Sequence, residues 1–385
     1  MNLSKSIDFL LENAGPVIQY RLRKEILKNL IQADEENLLG QIYQTPAFKL
    51  LESYVKPDGY VGSGAHSWDN WCGAVLHETP LQDGETAARL LSCYAVPKQH
   101  PVVANFVAAM RDEATLRKEF SYIPPEVERF NNRFRGVNSG YCLMTIMYAM
   151  QAMLGYGDDE YVIPFQNVSL EAFKSMLQIS SIGEITMARQ SKTKYNYPYI
   201  DEHTYFASQY HLETLAYTSA WRTPGNIKLM ADALNRYNEI MPDGFSLHVK
   251  IDNKYIVPAP LNMQNRPIRP FRADLIDAIT YRRLLTEIAM LGVGASVGVI
   301  RESIANIGEA IGSDGVLRMR FDLPHNRRYS PKMIEYPTPY SDVRLEADYS
   351  RKYAFECDLT FWAVQFLSLA EKRGDGSSAF WGKSR

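Results

Sequence analysis

The chain has 385 residues, with 42 Lys+Arg against 44 Asp+Glu, a formal charge of −2, 22% charged and 46% hydrophobic residues. This composition excludes a disordered chain, a nucleic-acid binder working through a broad basic surface and polybasic attachment to anionic lipid. No apolar run reaches the ~18 residues that span a bilayer, and Lys5 and Asp8 interrupt the first apolar stretch, unlike a signal peptide; the expectation is a cytoplasmic protein with no nucleic-acid partner.

The periodic segments are almost all helical. Residues 4–13 and 17–31 form the first pair, the second opening at Pro16 with a stripe of Ile18, Leu22, Ile26 and Leu30. Thr45 and Pro46 start a helix over 46–54 as N-cap and first turn. Asp83-Gly84 and His100-Pro101 open two more. A charge-rich linker spans 115–135. Residues 139–154 are apolar nearly all round, the pattern of a buried helix. Further helices are predicted at 168–177, 203–218, 226–240, 273–291, 297–311 and 355–370. Residues 245–257 alternate around Asp252-Asn253, the signal of a small β-hairpin. Residues 313–350 hold four prolines and no sustained period, the pattern of a long ordered loop, and the Gly/Ser-rich end is a frayed tail.

These helices pair into repeating units, an apolar helix followed by an amphipathic one, with breaks near Val96, Gly155, Trp221 and Gly292, roughly every sixty to seventy residues. The asymmetry implies buried inner helices and water-facing outer ones. Helical arrays with open ends use repeats of roughly 34 to 47 residues. The longer, irregular connectors here favour an all-α fold, an α/α toroid of about five to six helical hairpins. The toroid domain is expected over 1–372 and the tail over 373–385. Cys72, Cys93, Cys142 and Cys357 lie far apart without a CxxC pair, so all four are expected to be reduced and buried.

Four turns precede inner helices: Asp58-Gly59-Tyr60, Asp83-Gly84, Asp243-Gly244-Phe245 and Asp314-Gly315-Val316. With the opening GPVIQYRLRKEIL and the closing DLTFWAVQFLSLA they make the chain resemble bacterial prenyltransferase-like proteins of the squalene cyclase and protein prenyltransferase superfamily of α/α toroids. The resemblance covers most of the chain through its repeat pattern. It implies a central cavity for an apolar or isoprenoid-like small molecule. The chain departs from that superfamily's motifs. It has no DxDD; Asp158-Asp159-Glu160 is followed by Tyr161 and Val162 where DDxxD needs a fifth-position Asp; and the zinc pattern DxC is replaced by Asp69-x-x-Cys72.

The densest chemical cluster is GSGAHSWDNWCGAVLHE over 62–78. Asp69 as acid or base with His66 beside it, and Trp68, Trp71 and His77 as ligand-binding walls, make one reading; an aromatic plug at one end of the ring is the other. Asp69, Cys72 and His77 have zinc-ligand chemistry without a strong spacing motif, so no cofactor is predicted and zinc is the one metal option. The second cluster, 197–213, places Asp201, Tyr205 and Gln209 on one face of a predicted helix, with Tyr199 and His203 as ligand contacts. Asp201 and Tyr205 are then acid–base groups, or an N-cap and a core ring. Arg344, Glu346, Asp348, Arg351, Glu356 and Asp358 read as a surface ion-pair network, with Cys357 and Asp358 able to face the cavity. Arg266, Arg269 and Arg272 read as a solvated connector or an anion site.

The function expected from these residues is acid–base isomerisation, cyclisation or hydration–dehydration of a small molecule in the toroid; there is no phosphate-binding glycine loop. A non-catalytic binding or scaffold protein on the same fold is the first alternative. A carbohydrate-active (α/α)-barrel enzyme with paired carboxylates is the second.

Overall fold

The computed structural model describes residues 3–64, 83–119, 143–189, 198–201, 204, 206–243, 247–251, 254–256, 267–274, 282–319, 344–348 and 350–371. These residues form fourteen α-helices and three short strands. Among them, no helix is long and apolar enough to cross a membrane.

The first helices are α1 (Ser4–Asn13), α2 (Pro16–Arg21, continued as a π-helix over Leu22–Leu27), α3 (Gln32–Ile42) and α4 (Pro46–Ser53). Then come α5 (Gly84–Cys93), α6 (Pro101–Arg111), α7 (Glu113–Glu119) and α8 (Leu143–Gln151, continued over Ala152–Tyr156), followed by α9 (Ile163–Met176), α10 (Gln209–Ala216) and α11 (Pro224–Ile240). The last are α12 (Arg282–Met290), α13 (Gly298–Ala310) and α14 (Ala354–Glu371). Their starts follow from side chains that occupy the open N–H groups of a first turn. Thr45 accepts from the Phe48 amide, Asp83 from Thr86 and Thr223 from Asn226, with proline in the first turn of α2, α4, α6 and α11.

Burial divides the helices in two classes. Every residue of α10 is buried, as are Gly84 to Leu91 of α5 and nearly all of α14. By contrast α1 buries only Ser6 and Leu10, and α3 only Ile42. The buried helices touch in sequence: α5 packs on α8, α8 on α10, α10 on α12, α12 on α14 and α14 on α2. From the end of α2, Arg21 Nη1 donates to the Cys93 carbonyl at the end of α5 at 3.1 Å. α14 divides its apolar surface between two cores: Cys357, Phe361 and Val364 join the N-terminal cluster, and Leu359, Trp362 and Phe366 the C-terminal one.

Two of the Asp-Gly turns have the same geometry. Tyr60 and Val316 amides each donate to the side chain of the Asp two residues before, and isolated bridges Val55–Val61 and Ile311–Leu317 close the turns. Gly59 (φ +86°) and Gly315 (φ +84°) occupy the left-handed region that glycine enters without penalty. Asp83-Gly84 is different: Asp83 is the N-cap of α5 and Gly84 its first helical residue.

Several sequence expectations are corrected. Helix α3 falls where none was expected. α7 runs into the start of the expected linker, and α9 begins at Ile163, ahead of 168, with proline in its first turn. The helix expected from 203 begins at Gln209, because Ser208 and His211 form a capping box there. The residues before it are extended: β1 (Tyr199–Asp201) pairs parallel with β2 (His248–Ile251), Ile200 opposite Val249. β2 pairs antiparallel with β3 (Lys254–Ile256), which is the expected hairpin. Asp201 is therefore on a strand and shares no helix face with Gln209. Cys357 is buried as expected, whereas Cys93 is only half-buried. The tail 373–385 and most of the loop 313–350 lie outside the described residues.

Candidate functional site

The buried helices line a partly open cavity of about 560 Å³. From α14, Asp358, Phe361, Trp362 and Gln365 line it, at the i, i+3, i+4, i+7 spacing of one helix face. From α12 come Arg282, Arg283, Thr286, Glu287 and Met290, again one face. α2 and its continuation supply Arg21 and Glu25, α5 supplies Cys93, the continuation of α8 supplies Met153 and Leu154, and Tyr217 follows α10. This wall mixes apolar, charged and neutral polar side chains.

The charged side chains are held in place. Arg21 grips Glu25 with two parallel hydrogen bonds, Nε to Oε1 at 2.8 Å and Nη2 to Oε2 at 3.0 Å, and lies over the Phe361 ring at 5.2 Å. Gln365 Nε2 donates to Glu25 Oε2 as well, at 3.1 Å. Trp362 Nε1 donates to Thr286 Oγ1 at 2.9 Å, which fixes the indole plane along the wall. Asp358 accepts from the Leu345 amide at 3.1 Å. Burial raises its pKa to about 8 and the neighbouring Glu346 adds to this, against the opposing pull of Arg282, so the carboxyl carries its proton at neutral pH. Burial and Glu287 hold the Tyr217 hydroxyl well above its ordinary value.

Behind the wall runs a buried network from α5, α10 and α12. Arg89 Nη2 donates to Glu85 at 2.6 Å and to Glu213 at 2.8 Å. Tyr210 donates to the second oxygen of Glu85 at 2.9 Å, and Gln209 to Glu213 at 2.7 Å. Arg283 approaches Glu213 at 3.5 Å and Glu287 at 3.4 Å. Arg89 is 2% exposed and Glu213 0%, so these charges interact at low effective dielectric and depend on one another.

The sequence-derived site residues fall as follows. His66, Trp68, Asp69, Trp71, Cys72 and His77 lie outside the described residues, as do His203 and Tyr205. Tyr199 and Asp201 are on β1, away from this cavity, with Tyr199 packed edge-on against Tyr255 of β3. Asp358 faces the cavity, whereas Cys357 turns into the N-terminal core. Glu346 is buried and accepts from the Gly15 amide at 2.6 Å, which replaces the expected surface role. Arg269 and Arg272 are exposed and paired with Asp243 and Asp274, the connector arrangement. Sequence reasoning missed Arg21, Glu25, Glu85, Arg89, Glu213, Arg283 and Glu287. One signal was present: Glu85–Arg89 and Arg283–Glu287 are opposite charges four residues apart inside otherwise apolar helices.

No protein-family model, curated protein or solved structure matches this chain.

Proposed function

We propose that the buried helices α2, α5, α8, α10, α12 and α14 close into an α/α toroid, and that the cavity within it binds and chemically transforms an amphiphilic small molecule. The sequential packing of these helices and the link from Arg21 to Cys93 support the closed ring. Met153, Leu154, Phe361 and Trp362 offer an apolar wall of the kind an isoprenoid-like tail would use, and α12 offers a polar one.

The observation that carries the catalytic reading is Asp358: a buried carboxyl on a cavity wall, protonated at neutral pH, beside two aromatic faces. Such a group is a general acid. It passes its proton to an alkene, carbonyl or leaving hydroxyl of the substrate. The positive charge that develops is stabilised by the π faces of Phe361 and Trp362 and by the carboxylates of Glu25 and Glu287. The aspartate then recovers a proton from the adjacent carbon or from water, which completes an isomerisation, a cyclisation or a hydration–dehydration. The terpenoid-cyclase and prenyltransferase-like reading suggested by the repeats is retained in this form, with Asp358 in place of the missing DxDD acid.

A second reading rests on a different feature of the same wall. Glu25, Glu287 and Asp358 around Trp362 are also the components of a glycoside-cleaving site. The test for both begins with native mass spectrometry of the full chain before and after denaturation, with metal analysis of the same sample. A co-purified small molecule supports the cavity, and bound zinc would point to Asp69, Cys72 and His77. Turnover of that molecule is then compared in the wild type, Asp358→Asn and Asp69→Ala proteins. Loss in Asp358→Asn alone supports the assignment, loss in Asp69→Ala alone moves the acid to the 62–78 cluster, and recovery of the molecule unchanged by any variant leaves a binding protein.

A further inference from the structure

One cavity residue is not explained by the acid–base reading. Arg283 is 6% exposed and lines the cavity. Among the described residues, none of its three side-chain nitrogens makes a hydrogen bond. Its closest carboxylates, Glu287 at 3.4 Å and Glu213 at 3.5 Å, are ion-pair neighbours only. A buried guanidinium with unused donors is costly, and so is a buried acceptor with nothing to accept from. Acceptors in that condition adjoin it: Glu213 Oε2 and Gln209 Oε1 accept no hydrogen bond, although both side chains are buried. By contrast Arg21 and Arg89 are engaged with carboxylates. The unmet donors and unmet acceptors are therefore concentrated where α12 faces α10.

The charge at this place decides what fits. Five Arg and Lys side chains line the cavity, Arg282 and Arg283 among them, against five carboxylates besides Asp358, Glu287 among them, while Arg89, Glu85 and Glu213 pair behind the wall. Asp358 adds no charge at neutral pH. An anionic ligand head would leave a net negative charge in a low-dielectric site and a cationic head a net positive one, each costly to bury. A group that is neutral, and that both donates and accepts, meets Arg283 and the carboxylate beside it without disturbing the balance. Hydroxyl groups have that property.

We propose that the polar end of the ligand is a neutral, multiply hydroxylated group, a polyol or sugar, held by Arg283 and Glu287. This rests on the reading of the cavity as a ligand site and names the ligand class it selects. Arg283 donates to ring or hydroxyl oxygens, and Glu287, 3.4 Å from it on the cavity wall, accepts from a hydroxyl. The apolar remainder of the ligand lies against Phe361 and Trp362.

The test uses probes with one tail and different heads. Octyl β-glucoside, octanoate, octylammonium and octanol are titrated calorimetrically into the full-length protein, each below its micelle-forming concentration. The expected result is that the glucoside binds at least ten-fold more tightly than the other three. Arg283→Gln, checked for folding by circular dichroism, is expected to bring glucoside affinity down to that of octanol. The ranking of the four probes on the wild-type protein stands as a test even where this variant does not fold. Tightest binding of octanoate or octylammonium overturns the neutral head. Equal binding of all four overturns it as well but leaves the cavity as a site for apolar tails, and a folded Arg283→Gln protein with unchanged preference removes the role of Arg283. Absence of binding by any probe removes the cavity reading and the inference with it.

Discussion

Ser6 Oγ donates to the Gly315 carbonyl at 2.6 Å, joining residues 309 apart in the chain. Lys5 Nζ adds a bond to the Ser313 carbonyl at 2.8 Å, so the first turn of α1 is fastened to the Asp-Gly turn that leads towards α14. The Gly59 turn makes the same kind of contact with α6, where an added Cβ would lie 2.9 Å from the Asn105 carbonyl oxygen. In the first case α6 follows α5 in sequence. In the second the partner of α14 is α1, from the other end of the chain, and α1 packs directly along α14. The two ends of the chain thus pack together as one pair of helices.

That contact is sensitive to one methyl group. Gly315 has φ +84°, and a Cβ there would come within 2.6 Å of the Lys5 and Ser6 backbone. Gly315→Ala is expected to cost about 2–4 kcal/mol, from left-handed strain plus displacement of α1. The same substitution at Gly40, exposed within α3 and with nothing within 4 Å of the added Cβ, is expected to stabilise by about 0.5–1 kcal/mol. Urea denaturation of the two variants checks both signs. Equal, small effects would mean that α1 is not held at this turn.

Asp358 gives the protein a pH dependence of definite sign. Its folded pKa of about 8 lies above the ordinary value of 3.8, so between these limits the native state keeps a proton that the unfolded chain has released. The stability contributed by the neutral acid is complete below about pH 4 and is lost as the pH rises towards 8. Asp358→Asn, neutral throughout, should therefore gain on the wild type as pH increases through this window. Denaturation midpoints of the two proteins at pH 5, 6, 7 and 8 measure the difference, and a gap that does not widen with pH would place the proton elsewhere.

The Arg89 network gives a prediction of coupling. Arg89→Met strands Glu85 and Glu213 as buried carboxylates, at an expected cost of about 3–5 kcal/mol. Combining it with Glu213→Gln removes one of the stranded charges, so the double variant should be less destabilised than the sum of the two singles by more than about 1 kcal/mol. Tyr210→Phe, which deletes the hydroxyl donated to Glu85, is expected to cost about 1.5–3 kcal/mol. Additive losses in the cycle would show that Arg89 and Glu213 do not act as one unit.

How far the sequence disclosed these features depended on whether the cause was local. The inner helices were legible because α14 and the 143–154 stretch are apolar all round, a pattern that only burial explains. The cap at Thr45 and the helix start at Asp83 were legible, since a cap is made within four residues, whereas the Thr223 cap, which starts α11 two residues ahead of expectation, was not. Helix α3 was not, because QADEENLLGQI has few apolar residues and weak periodicity. The start of α10 was misplaced because Tyr199–Asp201 is held extended by partners distant in sequence, β2 almost fifty residues later and Met187 before it. The polar cavity was hidden for a related reason. An i, i+4 pair such as Arg283–Glu287 reads in sequence as an exposed helix face, and only its neighbours on α5 and α10 show that the pair is buried.

His211 offers a test of how α10 begins. Its Nδ1 accepts from the Ser208 amide at 3.1 Å, while its own amide donates to Ser208 Oγ, so the ring completes the cap only as an acceptor. Burial drives its pKa down to about 3, and protonation would place a donor where the cap needs a lone pair. The native state then binds this proton less readily than the unfolded chain, whose histidine titrates near 6.5. Its contribution is whole above about pH 6.5 and declines as the pH falls towards 3. In a pH series of NMR spectra the His211 ring resonances should stay constant from pH 8 to 5, a range in which exposed histidines move. His211→Gln keeps a side-chain acceptor for the Ser208 amide and should remove the loss of stability on acidification, while His211→Leu deletes the acceptor and should destabilise at every pH by about 1–2 kcal/mol. A His211 ring that titrates near 6.5 in the folded protein would mean that the capping box is not formed in solution.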